Sequence, residues 1–344
     1  MGAWLVNRRP ASRAAVLSVA LAAAGGLLVA CGGSRAPAAG PTSTPSPNAS
    51  AVNPLTGLAG LPTGPVVGVK VDNTAAARPQ WGLNQADVVY VEQVEGGLTR
   101  LVAIYASHRP ARTGPVRSVR RTDPELLAQY GPMALAFSGG AANVVAAFRT
   151  STLVDASAGA HPGAYARLTS RRAPYNLVVD VAGLSGQVSG AAAVRDVGFR
   201  WAQADPRLAG AAAVSQFTAV VGGTRVSFRW DASSGRWQQT LAGSVVRDAD
   251  GRPVSTSDVL VQFCRVTTDF SDIDQAGSPA AYTHSVGSGR AVLFRDGRRI
   301  EGTWQRSAPG EPTRYRAASG GDLLLRPGGV WVVLAATGSP LTSG

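Results

Sequence analysis

Between Gly96 and Thr122 the chain carries six arginines, Arg100, Arg109, Arg112, Arg117, Arg120 and Arg121, and no aspartate or glutamate. A guanidinium presents a planar fork of donors that fits carboxylate and phosphate oxygens two at a time, so an uncompensated run near loops favours an anionic ligand. The alternative is a solvated surface on which the same arginines pair with Asp72, Glu92, Glu95 or Asp123 across the fold, each exposed pair contributing little. Gly114-Pro115-Val116-Arg117-Ser118-Val119-Arg120 is the sharper part, because a Gly-Pro turn followed by alternating residues places Arg117 and its neighbours at a strand end.

Asp72-Asn73 closes the first predicted strand, a position where open α/β sheets present ligand-binding side chains. Asp72 suits a base, a metal ligand or an arginine partner. Asp87 and Glu95 add carboxylates, but paired acid–base chemistry depends on a spacing set only in three dimensions. Phe137-Ser138-Gly139-Gly140 falls between a predicted strand and a predicted helix, where free backbone N–H groups can hold an anion. A Ser138 nucleophile lacks the elbow pattern, since Ala136 stands at its first glycine position, and a close-packed turn is the plain alternative. His108, His161 and His284 lie far apart without acidic or cysteine neighbours at metal spacing, so neither a metal site nor a cofactor is expected.

Elements must hold these residues in place. Residues 53–200 alternate short apolar runs with helical stretches: strands at 66–72, 86–92, 100–106 and 133–137, and helices starting at Thr122 and spanning 141–149 and 181–194. Thr122-Asp123-Pro124-Glu125 has the cap residue, early proline and acid of a helix start. Beyond residue 217 the pattern turns to β runs at 226–231, 237–240, 259–266, 291–294, 323–325 and 330–335, with Asp250-Gly251 and Asp296-Gly297 as hairpin turns. The expected fold class is α+β. A mixed α/β N-terminal domain (53–200) is followed by a connecting segment (201–216), a β-rich C-terminal domain (217–338) and a tail (339–344). Cys264 sits in a strand-like run and is expected as a buried structural thiol.

The first thirty residues have the layout of an export signal, with Arg8, Arg9 and Arg13 ahead of an uncharged apolar run. Leu28-Val29-Ala30-Cys31 resembles the lipobox of bacterial lipoproteins, in which the cysteine receives a diacylglyceryl group and becomes the new N-terminus. Residues 31–52 are then the lipidated cysteine and a flexible linker rich in Pro, Ser, Thr and Ala. Its twenty or so residues span roughly 25 Å, which keeps the fold near the membrane. The formal net charge is +12, and nearly all of the positive charge is arginine, because Lys70 is the sole lysine. Outside the membrane such a protein meets anionic lipid, teichoic-type polymers or peptidoglycan carboxylates; nucleic acid is not an expected partner.

Several segments in order carry a family pattern: Asn53-Pro54-Leu55-Thr56-Gly57, Val71-Asp72-Asn73, residues 78–87 from Arg78-Pro79-Gln80-Trp81 to Ala86-Asp87, Glu95-Gly96-Gly97-Leu98-Thr99-Arg100, residues 114–120 and Arg171-Arg172-Ala173-Pro174-Tyr175-Asn176-Leu177. Gly287-Ser288-Gly289-Arg290, Phe294-Arg295-Asp296-Gly297, Gly302-Thr303-Trp304 and Arg326-Pro327-Gly328-Gly329-Val330-Trp331 continue it. Together they resemble the YerB-like lipoprotein family, a pair of domains of unknown function. The resemblance implies export and lipid anchoring at the outer face of the cytoplasmic membrane, and it brings no activity. Tyr175 stands where the family pattern favours histidine, which counts against a histidine-dependent mechanism.

The resulting expectation is an envelope lipoprotein that binds an anionic glycan, a lipid-linked precursor or a membrane protein through Asp72, Asn73, Arg78, Asp87, Glu95, Arg100, Arg117, Arg120, Ser138, Gly139 and Asn176. The competing expectation is a hydrolase or transferase with Asp72 or Glu95 as acid or base. Substituting Cys31→Ser should abolish the diacylglyceryl mass on the processed chain and move the protein from the detergent to the aqueous phase of a detergent partition.

Overall fold

In the computed structural model, residues 51–274 and 277–344 are described; Cys31 and the expected export signal and linker lie outside them. The valine-rich runs pair as strands. β1 (Val67–Asp72), β2 (Val88–Gln93) and β3 (Thr99–Tyr105) form the centre of a sheet, with β3 between the other two and antiparallel to both. β4 (Ala134–Ala136) joins β1 and β5 (Val154–Asp155) joins β4, both in parallel. On the far side β2 pairs in parallel with Val330–Ala336, which pairs in parallel with Asp258–Cys264. Gly287–Arg295, Arg298–Arg306 and Arg314–Ala317 follow as an antiparallel meander, and Ala212–Ala213 adds to Arg298–Arg306. The result, among the described residues, is an 11-stranded sheet shared by the N-terminal and C-terminal segments, with β2 and Val330–Ala336 at their seam.

A second sheet contains Gln216–Val221, Thr224–Asp231, Arg236–Leu241 and shorter edge strands. One edge is Leu341–Ser343, so the expected tail ends in a strand paired with Gln216–Val221. This sheet covers one face of the central sheet through a shared aromatic core, in which Phe217 stacks on Phe294 at 3.6 Å and Phe228 meets Trp331 edge-on. The opposite face buries Leu126, Leu127, Tyr130 and Phe148 from α1 (Thr122–Leu127), α2 (Ala142–Arg149) and the turn between them. Burial on both faces explains why the strands read as continuous apolar runs. Both cores close within the compact unit from Ala49 to Gly344.

The third predicted helix is much shorter than expected. α3 spans only Val181–Ser185, started by the Asp180 carboxylate accepting from the Gly183 N–H and ended at Gly186. Gly186 and the left-handed Gly190 stop the helical run that apolar spacing alone had extended to residue 194. Asp296-Gly297 makes the expected two-residue hairpin, both residues having positive φ. Asp250-Gly251 does not: only Gly251 has positive φ, and the Asp248 carboxylate holds a wider loop by accepting from the Asp250 and Arg252 N–H groups. Val266–Ile273 and Pro279–Thr283 form a separate ribbon that the sequence reading missed.

The pleat decides where charge must go. Alternation along β1 sends Val67, Val69 and Val71 toward the second sheet, and Gly68, Lys70 and Asp72 toward the helices. The same rule puts Glu92 and Arg100 on the helix side, and across the strands Glu92 opposes Arg100, which opposes Asp72. A row of three charges therefore crosses the end of the sheet.

Residues 113–119 lie over that end. The Asp72 N–H donates to the Pro115 carbonyl and the Arg117 N–H to the Lys70 carbonyl, both at 2.9 Å, while the Val116 N–H reaches Leu177. Gly114 has φ +148, and a Cβ there would lie 2.8 Å from the Leu177 carbonyl oxygen. Gly114→Ala should lower unfolding free energy by about 3 kcal/mol, measured by denaturant titration, because backbone strain and overlap act together.

Candidate functional site

Asp72 is fully buried and ion-paired to two arginines. Arg117 approaches Oδ2 at 3.0 Å, while Arg100 stands 3.6 Å from Oδ1, which also accepts from the Thr74 N–H. Asn73 receives Arg78 on its carbonyl oxygen at 2.9 Å and donates to Thr99 at 2.9 Å. Gln80 reaches the Asp72 carbonyl. Arg120 grips Glu95 at two points, Nε at 2.5 Å and a terminal nitrogen at 2.9 Å. Burial works against the Arg120 charge, but the hydrogen bond and charge of Glu95 outweigh it and hold the guanidinium above its ordinary range. Arg100 is pushed down by burial, against the pull of Asp72 and with the repulsion of Arg117 and Arg120.

Seven expected residues therefore converge: Asp72, Asn73, Arg78, Glu95, Arg100, Arg117 and Arg120. The convergence is ion-paired, as the alternative expectation had it for Asp72 and Glu95, but the pairs are largely buried and not spread over a solvated surface. Arg117 makes no hydrogen bond from its terminal nitrogens among the described residues and lies 5.9 Å from the centre of the Tyr175 ring. Arg78 Nε, Arg100 Nε and Gln80 Oε1 are buried without hydrogen-bond partners. A hollow of about 440 Å³ opens beside Arg78 and Pro79, walled by Leu241 and residues 244–248.

The remaining candidates fall elsewhere or serve structure. Asp87 lies at the opposite end of β2, its carboxylate accepting from the Ala106 and Ser107 N–H groups that follow β3. Arg109 is also at that end, donating to the Thr63 and Pro65 carbonyls. Ser138 is exposed, and its N–H donates to the Arg117 carbonyl, so it supports the arginine loop and is not free to hold an anion. Gly139 accepts from the Val119 N–H and likewise fixes that loop. Asn176 holds Arg167, one residue from Tyr175.

Local spacing did not reveal the support beneath the cluster. Lys70, buried like Glu92 and Asp123, is bonded to both carboxylates, with Asp123 at 2.9 Å. The other Asp123 oxygen accepts from the Arg120 N–H at 2.7 Å, linking this triad to the arginine loop at the start of α1. Arg171 lies over Trp81, 4.2 Å from the ring centre, and donates to the Ala77 and Pro79 carbonyls, fixing the loop that carries Arg78. Asp272 of the ribbon approaches from outside; burial raises its carboxyl pKa, Arg120 lowers it and Glu95 raises it. A lone lysine inside Val67–Asp72 and a glutamate ending Val88–Gln93 were the available sequence signals, since charges in doubly covered strands require partners.

Residues 55–194 match the N-terminal domain, and residues 217–332 the C-terminal domain, of the DUF3048 proteins of unknown function. The chain belongs to this family. A relative from Bacillus subtilis (strain 168) named "Putative lipoprotein YerB" is 50% identical over 54 residues, a stretch that spans 16% of this chain and 16% of the relative. The crystal structure of the YerB protein from Bacillus subtilis matches with a TM-score of 0.67 at 21% identity, covering 85% of this chain and 99% of that one. The α+β class and YerB-like architecture follow; at this identity the likeness speaks for the fold alone.

The triad also generates a pH signature. Burial, then the neighbouring Asp123, raise the Glu92 carboxyl to about 7 against the opposing pull of Lys70. The folded chain thus keeps a proton that an unfolded carboxyl near 4.5 releases, so this contribution is greatest below pH 4.5 and is lost as pH rises toward 7. His284, lowered by burial and then by Arg265, acts in the opposite sense by costing stability as pH falls through 6.5. The comparison with Glu92→Gln isolates the carboxyl: the melting temperature of the parent relative to the variant should fall by roughly 5 °C between pH 5 and pH 7.5.

Proposed function

We propose that this protein is a membrane-anchored envelope lipoprotein that binds an acidic polymer of the cell wall at the Arg117–Asp72 cluster. Its carboxylate- or phosphate-bearing ligand meets the outer guanidinium edge of Arg117 beside Tyr175. The observation carrying this reading is unspent hydrogen-bonding capacity around Asp72: Arg117 makes no hydrogen bond from its two terminal nitrogens among the described residues, while Arg78 Nε, Arg100 Nε and Gln80 Oε1 are buried without hydrogen-bond partners. Buried polar groups left unpaired each cost about 1–3 kcal/mol, which a ligand accepting from the arginine N–H groups and donating a hydroxyl to Gln80 Oε1 recovers in part. Tyr175 offers a ring face to a sugar, and the hollow beside Arg78 leaves room for a chain of residues to continue. Lipid attachment through Cys31 accords with the lipoprotein name of the relative.

A hydrolase or transferase has less support. Asp72 and Glu95 already use their oxygens to position Arg117, Arg100 and Arg120.

Binding of the purified protein to phosphate-bearing and carboxylate-bearing wall polymers, read by sedimentation and calorimetry, tests the assignment. Arg117→Ala should weaken the interaction about tenfold, since a charge-assisted hydrogen bond contributes roughly 1.5–3 kcal/mol. Unchanged affinity in that variant, or no retention of either polymer by the parent, would refute the site.

A further inference from the structure

The chain enters the described fold at one end of the central sheet. Residues 51–60 make a small hairpin in which Val52 pairs with Ala59 and the Gly60 N–H donates to the Ala51 carbonyl at 2.7 Å. Leu55 is fully buried beneath it. Asn53 donates to the Ser107 hydroxyl at 2.8 Å, Trp201 to the Pro54 carbonyl at 2.9 Å, and the Gly328 N–H to the Thr56 carbonyl at 2.7 Å. Ser107 follows β3 and Gly328 precedes Val330–Ala336, so these bonds fasten the hairpin to the Asp87 end of the sheet.

The hairpin is apolar on its outer side. Val52, Leu58 and Leu61 are 53%, 50% and 54% exposed, three of the seven large apolar side chains exposed among the described residues, and they fall within ten positions. No charged residue occurs between positions 51 and 69. The charged groups around it are mainly basic. Arg109 caps the Thr63 and Pro65 carbonyls, and Leu58 lines a cavity of about 190 Å³ together with His108 and Arg236. Asp87 turns inward to two backbone N–H groups, and Asp196 near Trp201 is paired with Arg200.

We infer that this hairpin is a membrane-docking face, on which Val52, Leu58 and Leu61 enter the interface of an anionic phospholipid bilayer while Arg109 meets its headgroups. The inference relies on the lipoprotein reading for delivery to the surface. About 20 residues separate Cys31 from Val52, so this apolar end is the part of the fold nearest the anchor along the chain, and lipidated proteins bind stably when a second signal joins the acyl chains. The combination of exposed apolar side chains and an arginine suits the boundary between acyl chains and anionic headgroups. The arginine cluster occupies the other end of β1 and β3. Asp72 opposes Arg100 there, while Val67 opposes Tyr105 at the hairpin end, five residue steps or roughly 17 Å away. A unit seated on its hairpin therefore holds the cluster away from the bilayer and toward the wall.

Two measurements decide this. The lipidated full-length chain, reconstituted into phosphatidylglycerol–phosphatidylethanolamine vesicles containing nitroxide-labelled lipid, carries a fluorophore on Leu58→Cys or, separately, on Ser170→Cys in the Arg171 loop. Cys264 is buried and leaves the labels selective. Quenching should be several-fold stronger at position 58; equal or reversed quenching overturns the orientation. The unit 49–344, without lipid, should sediment with the same vesicles and less with neutral phosphatidylcholine, and Leu58→Asp/Leu61→Asp should weaken its partition at least about tenfold while leaving the thermal midpoint unchanged. Failure of the parent unit to bind anionic vesicles, or indifference to the double substitution, overturns the docking face. A failed lipoprotein reading would appear separately, as a full-length chain without diacylglyceryl mass on Cys31.

Discussion

Burial of charge on the helix-facing side of the central sheet governs this protein. The pleat sends Lys70, Asp72, Glu92 and Arg100 into that layer, and burying an unpaired ion costs several kcal/mol. Each charge is therefore answered by another element. Asp123 comes from the start of α1 to Lys70, Arg117 from the loop after Gly114 to Asp72, and Arg120 from the same loop to Glu95. The loop is held because the charges are held.

The same requirement ties the halves of the chain together. The ribbon at Val266–Ile273 brings Asp272 toward Arg120 and Glu95, and Glu125 of α1 accepts from Tyr282 and from the Ser285 and Val286 N–H groups. Glu125 thereby stays below the usual carboxylate range, its hydrogen bonds overcoming a burial penalty. With β2 paired to Val330–Ala336, the C-terminal segment is a structural wall of the N-terminal site.

Much of the fold was legible because apolar periodicity and burial coincide. Residues 66–72, 100–106 and 141–149 are nearly the strands and helix observed, and Asp296-Gly297 turns as its residue types require. The third helix was over-extended because apolar spacing says nothing of where Gly186 and Gly190 break it. The ribbon was overlooked because Val266–Ile273 is largely exposed and polar, and Pro279–Thr283, though buried at Ala280, Ala281 and Thr283, is too short and alanine-rich to stand out as an apolar run. For the site, residue type was informative and the particular pairing was not: Asp72, Glu92, Glu95 and Asp123 were all candidate partners for the arginines, and only the fold gives Asp72 to Arg117 and Glu95 to Arg120 while Glu92 and Asp123 go to Lys70.

By itself the sequence determined the strand pattern, the α+β class, the family through ordered motifs such as residues 78–87 and 114–120, and the arginine content of one segment. These depend on local composition and spacing, which survive without a fold. Only the tertiary structure decided that Asp72 faces Arg117 while Asp87 lies a strand length away, and that the sole lysine is buried between two carboxylates. It also decided that residues 51–60 lie at the end of the sheet opposite the arginine cluster. The physical reason is strand register: direction and partner order in a sheet are properties of the whole chain, and they determine which of many similar charges meet.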